Sequence, residues 1–274
     1  MFLLRKNSPG VIGLNGVKRL AAAIAVIISV CVQLAYAAAE GKTGLEFFGV
    51  YHGPDGSNKI AITMDDCNNL EVVWKTVELC EQYGIKMTFF PVGVNLHPED
   101  RENWQKALDI GCEIGSHGNN HIKYNTTNRI KDGLNYFQQN LDEVLGYHYQ
   151  VRWFRPPWGY SSLKDENGSE RNAMIRIKQC GYDHALCWDV SYMLDAEGAL
   201  RKTLQQTRYH GAILLFHAAV PDYNCLVDLI PMLLDEGLEP VTVSELFGFD
   251  PPETSEEKFI YDYKTYQYPR PDAR

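Results

Sequence analysis

The strongest constraint on the fold is a regular alternation of strand-like and helix-like segments along the chain. Seven apolar runs have strand character: KIAIT, KMTFF, CEIGS, VRWF, HALCWDV, AILLF and EPVTV. Segments with helical spacing lie between most of them, and strands joined by helical crossovers are parallel. The pattern therefore predicts an α/β fold with about seven parallel strands and outer helices, either doubly wound or closed into a barrel.

One segment shows how a helix of this pattern would pack. From Thr127 onward, apolar residues recur at steps of three and four: Ile130, Leu134, Phe137, Leu141 and Leu145. This spacing places them on one stripe that faces the sheet. Gly84 and Gly111 each come just before a predicted strand, and we expect them to end the preceding helices.

Residues 1–37 are predicted to be an export signal. The basic segment RKNSPGVIGLNGVKR is followed by the apolar run LAAAIAVIISVCVQLAYA, which ends in small residues. We expect cleavage after Ala37. An uncleaved anchor through residues 20–37 is the alternative, because the run approaches the length of a membrane span. Either form makes the protein secreted or extracytoplasmic and membrane-anchored.

The charge of the chain argues against nucleic acid as a partner. Removing residues 1–37 takes away four basic residues and no acid, which lowers the formal net charge from −9 to −13. The six cysteines after the leader are spread through predicted helices and strands, so we expect mostly free, buried thiols. We also predict a monomer.

Polar residues at the ends of the predicted strands are the candidates for a functional site, because ligands bind at the carboxyl ends of parallel strands. The candidates that follow the first, third, fourth and sixth strands are Asp65, Asp66, His117, His121, Arg155 and His217. Two adjacent aspartates at the end of a buried run repel each other. A nearby cation would stabilise them.

Two histidines and one of these aspartates form a ligand set for a divalent metal ion. His117 and His121 are four residues apart, which on a helical turn would place both imidazoles on one face. With Asp66 they offer three ligands and leave a coordination position open for water. We predict one metal ion, zinc first, with cobalt, nickel or manganese as alternatives, and we expect Asp65 to stay available for proton transfer.

The order of several short motifs resembles that of the polysaccharide deacetylases, carbohydrate esterase family four. The motifs TMDD, SHGNNH, RPPWG and LFH resemble the first, second, third and fifth motifs of the family. The segments TFFPVG, GCEIGSH and TVSEL also match the family, and the resemblance covers residues 58–248. It implies a distorted (β/α) barrel and metal-dependent removal of N-acetyl groups from amino-sugar polymers.

The resemblance also implies a role for each matching residue. Asp65 resembles the general base and Arg155 the arginine that orients it, while Asp66, His117 and His121 resemble the metal ligands and His217 the general acid. An acid is needed because an amide nitrogen leaves poorly unless it is protonated. Trp158 stands where a tyrosine is usual and would offer its backbone N–H to the oxyanion, and Tyr160 is a further candidate for substrate contact.

The fourth family motif, D-x-x-D-W, is altered in this chain. Ser191 and Leu194 stand where its two aspartates would fall. Asp189 lies on the same strand face as Ser191 and is our candidate for the missing carboxylate, which would pair with Arg155 or tune His217. A surface or structural role for Asp189 is the alternative.

These observations predict four segments and one activity. The segments are a leader (1–37), an N-terminal extension (38–57), a catalytic domain (58–249) and a Pro/Tyr-rich tail (250–274). We expect the tail to pack loosely, or to act as a strap on glycan. The predicted substrate is an N-acetylated glycan such as peptidoglycan, chitin-like oligomers or poly-N-acetylglucosamine. An O-acetyl esterase on acetylated xylan and a catalytically silent glycan-binding relative are the alternatives.

Overall fold

The computed structural model describes residues 49–159, 163–190, 195–208 and 210–265. The strands are β1 (Lys59–Asp66), β2 (Thr88–Pro91), β3 (Glu113–Ile114), β4 (His148–Tyr149), β5 (Trp153–Phe154), β6 (His184–Ala185), β7 (Ile213–His217), β8 (Glu239–Val241) and β9 (Thr254–Ser255). The helices are α1 (Leu70–Tyr83), α2 (Arg101–Asp109), α3 (Thr127–Leu145), α4 (Glu170–Gln179), α5 (Ala196–Gln206), α6 (Val220–Asp235) and α7 (Val243–Leu246).

Strand β1 lies at the centre of the main sheet. Strands β2 and β7 pair with it on either side, β3 continues the sheet beyond β2, and β8 pairs with the first residues of β1. All of these pairs are parallel, as is the separate pair of β5 and β6. Each of the seven predicted apolar runs contributes one strand to this set.

Two isolated bridges complete a ring of strands. Ser116, just after β3, pairs with Phe154 of β5, and Val190, after β6, pairs with Leu214 of β7. The order β1, β2, β3, β5, β6 and β7 therefore returns to β1 through short and irregular contacts. The predicted distorted (β/α) barrel is confirmed.

The helices begin and end where local sequence favours it. Asn69 caps α1, its Oδ1 accepting a hydrogen bond from the Val72 N–H at 3.4 Å, and Gly84 ends that helix with a φ of 63°. The predicted stripe of α3, five residues from Ile130 to Leu145, is entirely buried. The six cysteines among the described residues are free thiols, as expected.

Large side chains fill the lower part of the barrel. Phe90, Trp153 and Ile213 belong to one buried cluster with the residues that surround the start of β1. Trp153 is fully buried and donates its indole N–H to Ser244 Oγ at 3.0 Å, so it is a core residue. This filling leaves the carboxyl ends of the strands as the open end of the barrel.

The first part of the C-terminal tail, residues 250–265, contacts the domain at a few positions, while most of its residues are exposed. Strand β9 pairs antiparallel with β4, and the Phe259 N–H donates to Asp142 Oδ2 at 2.8 Å. Tyr261 is buried and donates its hydroxyl to Asp132 Oδ1. Residues 266–274 lie outside the described part.

The predicted leader, residues 1–37, also lies outside the described residues. Within the part of the chain that the structure describes, none of the helices has the length and apolar character needed to cross a membrane. Secretion and anchoring through residues 20–37 therefore stay predictions.

Candidate metal centre and active site

A strained turn at the end of β1 presents the first candidate ligand. Asp66 has a φ of 65°, and the Cys67 N–H donates to Asp65 O at 2.8 Å across it, which is the hydrogen bond of a γ-turn. The Val92 N–H and the Asn95 side chain both donate to Asp66 O, at 3.1 and 3.3 Å. These two bonds hold a backbone conformation that a non-glycine residue seldom adopts.

Asp66 and the two predicted histidines meet in one group. Asp66 Oδ1 lies 3.5 Å from His117 Nε2 and 3.5 Å from His121 Nε2. One ligand atom from each residue can be chosen so that all three lie within 4.8 Å of one another. Asp66 Oδ1 is buried and accepts no hydrogen bond from any described residue. A buried carboxylate oxygen facing two imidazole nitrogens fits a zinc-like cation.

The histidines reach this group from a loop and not from a helix. Residues 117–121 have no helical structure, so the predicted helical turn is wrong. Gly118 has a φ of 79° and donates its N–H to Ser116 Oγ at 3.0 Å, which turns the chain sharply after His117. The loop brings the two imidazole rings to 5.3 Å between centroids.

His117 is oriented by a second contact. Its Nδ1 lies 2.7 Å from Arg155 O, a carbonyl that can only accept, so Nδ1 carries the proton and Nε2 presents its lone pair to the metal group. Burial lowers the pKa of His117 against the opposing effect of the nearby aspartates. The neutral imidazole, which is the form that binds metal, is therefore favoured.

Asp65 is held by a buried arginine below the metal group. Arg155 donates to Asp65 Oδ1 at 2.8 Å and to Thr63 Oγ1 at 2.6 Å, and its Nη2 donates to Cys187 O at 3.1 Å. Its guanidinium carbon lies 4.4 Å from the centre of the Phe90 ring. These contacts fix one oxygen of Asp65 and leave the other, Oδ2, outside the arginine bond.

His217 and Trp158 border the same end of the barrel. His217 is the last residue of β7 and is the register partner of Asp65, so the two side chains point to the same side of the sheet. Trp158 is 54% exposed, has a φ of 61°, and its ring lies 4.5 Å from that of His121. No described residue accepts a hydrogen bond from the Trp158 N–H. Tyr160 lies outside the described residues.

Asp189 lies at the other end of β7, and its predicted place in the site is wrong. Its Oδ1 accepts from the Ile213 N–H at 2.8 Å, and its Oδ2 lies 3.3 Å from His210 Nδ1. Ile213 begins β7 and His217 ends it, a separation of about 13 Å at the usual rise of a strand. Burial raises the pKa of Asp189 to about 6. Ser191 and Leu194, the altered positions of the fourth motif, lie outside the described residues.

One carboxylate beside His217 was not among the residues predicted from the sequence. Asp222 Oδ2 accepts a hydrogen bond from the His217 N–H at 2.7 Å and lies 3.9 Å from His217 Nδ1. Asp222 stands in the first turn of α6, directly after Pro221. That proline marks the start of a helix close behind His217, and this was the signal that could have identified Asp222.

Comparison with known proteins identifies the family that this chain resembles. Residues 52–183 match the family model for polysaccharide deacetylases, so the predicted resemblance is confirmed. The chain is 28% identical over 214 residues to a peptidoglycan-N-acetylglucosamine deacetylase of Bacillus cereus, covering 72% of this chain and 91% of that protein.

Two further relatives are longer than the matched region. An uncharacterized protein of Bacillus subtilis is 28% identical over 208 residues, which is 72% of this chain and 60% of that protein. A bifunctional xylanase/deacetylase of Pseudobutyrivibrio xylanivorans is 26% identical over 192 residues, 69% of this chain and 30% of that protein. The chain therefore spans less than two thirds of the length of these two relatives.

Solved structures share the fold. A CE4 family pseudoenzyme from Bacillus anthracis superposes with a TM-score of 0.60 at 20% identity, covering 75% of this chain and 71% of that one. A peptidoglycan N-acetylglucosamine deacetylase gives a TM-score of 0.60 at 20% identity, with coverages of 74% and 94%. An acetyl xylan esterase from Clostridium thermocellum, solved with a cobalt ion, gives 0.55 at 20% identity, with 69% and 90%.

Proposed function

Because residues 52–183 match the family model for polysaccharide deacetylases, we propose that this protein is a metal-dependent hydrolase that removes N-acetyl groups from an amino-sugar polymer or oligomer. The observation that carries the proposal is the group of Asp66, His117 and His121 with Asp65 beside it. We further propose that it acts outside the cytoplasmic membrane, on the basis of the predicted leader.

The three ligands would hold a divalent cation, with zinc as the first candidate because of the two imidazoles. Their fit rests on the buried Asp66 Oδ1, which no described residue satisfies. When bound, such a cation polarises the acetyl carbonyl and acidifies a water molecule. The remaining chemistry belongs to side chains and backbone groups of the chain itself.

Asp65 is our candidate for accepting the proton of the attacking water. Arg155 fixes Oδ1 of this carboxylate, and Oδ2 lies 3.9 Å from the His117 ring that borders the metal group. The Trp158 N–H would donate a hydrogen bond to the oxygen that gains negative charge during attack. A preformed donor of this kind needs no reorganisation as the charge develops.

His217 is our candidate for protonating the leaving nitrogen. It borders the site from β7, whereas His117 and His121 approach Asp66 from the loop after β3. An amine leaves readily only after protonation, so this step matters for an amide substrate and much less for an ester with a good leaving group. Replacement of His217 therefore separates the two substrate classes.

The preferred substrate is a glycan that carries N-acetylglucosamine or a related N-acetylated sugar. The similarity to a peptidoglycan-N-acetylglucosamine deacetylase supports this choice. The exposed ring of Trp158 beside His121 offers a surface on which a sugar ring can stack. An O-acetyl esterase acting on xylan is the second candidate, favoured by the similarity to a bifunctional xylanase/deacetylase.

A silent glycan-binding protein is the third candidate. The altered fourth motif and the structural likeness to a pseudoenzyme favour it. The group of Asp66, His117 and His121 argues against it, because a protein that only binds glycan has no need for three converging metal ligands.

Acetate release from defined glycans tests these candidates together. We expect the zinc-loaded protein to release acetate from N-acetylated chito-oligosaccharides, to lose this activity with a chelator, and to regain it on addition of zinc. The variant His121→Ala should bind zinc more weakly by calorimetry and lose activity. Release from acetylated xylo-oligosaccharides alone would favour the esterase. No metal-stimulated release from either glycan would refute the hydrolase.

A further inference from the structure

We propose that Asp222 is the positioning residue for the candidate acid His217, in place of the aspartate that the fourth motif usually supplies. The inference rests on the proposed function, because it assigns a partner to the acid of that reaction. In the family, the supporting carboxylate comes from the fourth motif, which precedes His217 in the chain. Here we assign this role to a residue of α6, the helix that follows His217.

The geometry around His217 carries this inference. Asp222 is 8% exposed, and its Oδ2 lies 2.7 Å from the backbone nitrogen and 3.9 Å from Nδ1 of His217. A single carboxylate oxygen therefore contacts the backbone of the histidine and approaches its ring. With Nδ1 turned toward this oxygen, Nε2 points away from α6 and can carry the proton that the leaving nitrogen needs.

Strand β1 and helix α6 both bring a charged side chain close to His217. Strand β1 contributes Asp65, whose negative charge is matched by the buried Arg155. Helix α6 contributes Asp222, whose ion-pair partner within the described part of the chain is His217. Asp222 is therefore the carboxylate placed to favour the protonated imidazole.

The pKa of Asp222 depends both on its burial and on its contacts with His217. Burial raises the pKa of Asp222, while the His217 N–H bond and the nearby imidazole lower it. The ionised carboxylate and the protonated imidazole thus stabilise each other. At about 4 Å, even the weak attraction expected in water corresponds to a change on the order of one pH unit in protonation.

A purely structural role for Asp222 is the competing explanation. An acid in the first turn of a helix is favourable by itself, and here it also accepts the His217 N–H. The variant Asp222→Asn separates the two roles, because the amide keeps an oxygen that can accept this bond but removes the charge. The matched control is Asp228→Asn, which makes the same change on an exposed position of α6.

The first test compares two substrates across pH with the metal-loaded full chain. For an N-acetylated chito-oligosaccharide, we expect Asp222→Asn to move the alkaline limb of kcat about one pH unit lower. At pH values above that limb, kcat should fall about tenfold, with KM unchanged. Hydrolysis of an activated aryl acetate, whose leaving group needs no proton, should change less than twofold. Asp228→Asn should match the unmodified protein in both assays.

The second test does not depend on activity. The pH at which the His217 imidazole is half protonated can be followed by NMR, with the signal assigned through His217→Gln. We expect this midpoint to fall by about one pH unit in Asp222→Asn and to stay in place in Asp228→Asn. An unchanged midpoint, or equal losses on amide and ester, would overturn the inference. Absence of acetate release by the unmodified protein would instead refute the proposed function, while the midpoint would still decide the role of Asp222.

Discussion

Removal of the Arg155 side chain should destabilise the fold strongly, and the reason lies in the buried charge of Asp65. Both residues are almost completely buried, and they form an ion pair at 2.8 Å. In Arg155→Met, the aliphatic part of the side chain is largely kept, but the Asp65 carboxylate loses its cation. Thr63 Oγ1 and Cys187 O lose a donor as well.

The expected cost follows from the energy of an unpaired buried charge. Breaking a buried ion pair by removing one partner costs about 3–5 kcal/mol. For a domain of this size, that corresponds to a fall in Tm of roughly 6–20 °C. Lys75→Met is the contrasting control, because Lys75 pairs with Glu71 on the exposed face of α1, where an ion pair contributes little to stability.

Urea unfolding of the single and double variants checks this reasoning. If the stranded carboxylate causes the loss, then Asp65→Asn combined with Arg155→Met should recover at least about 1 kcal/mol relative to Arg155→Met alone. A loss below about 1 kcal/mol in Arg155→Met would refute the account. Equal stability of the single and double variants would show that packing, and not charge, explains the effect.

Three further changes test other parts of the structure. Gly118→Ala should cost roughly 2–5 kcal/mol in urea unfolding and weaken zinc binding, because φ is 79° and the new Cβ would lie 2.0 Å from Tyr124 Oη. Burial lowers the pKa of His184 to about 4, below its unfolded value, so stability is lost as pH falls from about 6.5 toward 4. The variant His184→Gln should lose up to about 3 kcal/mol less stability over this pH range than the unmodified protein. Measurement of Tm as a function of pH checks this. Tyr261→Phe removes the bond to Asp132 and should cost about 1 kcal/mol, with faster proteolysis within residues 250–265.

The parts of the fold that were predicted from sequence depend on local pattern. The apolar runs predicted all seven parallel strands, and the stripe of α3 is buried as its spacing requires. Strand ends meet at one edge of a parallel sheet, so residues that follow different strands could be grouped from their positions in the sequence alone. This rule predicted that Asp66 would lie close to His117 and His121.

The parts that were missed depend on contacts between distant segments. The run HALCWDV was treated as one strand, but β6 ends at Ala185, and Asp189 instead bonds to the first residue of β7. The alternation of side chains between the two faces of a strand does not continue past the end of β6, so it could not predict the position of Asp189. The packing of residues 250–265 on α3 and β4 likewise rests on single hydrogen bonds, such as that from the Phe259 N–H to Asp142, which have no local sequence signal.

Backbone strain explains why the centre of the site was the hardest part to predict in detail. The non-glycine residues with positive φ in the described chain are Asp66, Cys67 and Trp158, and all three lie at the open end of the barrel. Each conformation costs on the order of 1–2 kcal/mol, so local preference alone would choose another geometry. At Asp66, the Val92 N–H and the Asn95 amide supply compensating bonds to its carbonyl. The strain turns Asp66 toward the imidazoles and exposes the Trp158 N–H, so the departures from ordinary backbone rules coincide with the groups that the proposed reaction requires.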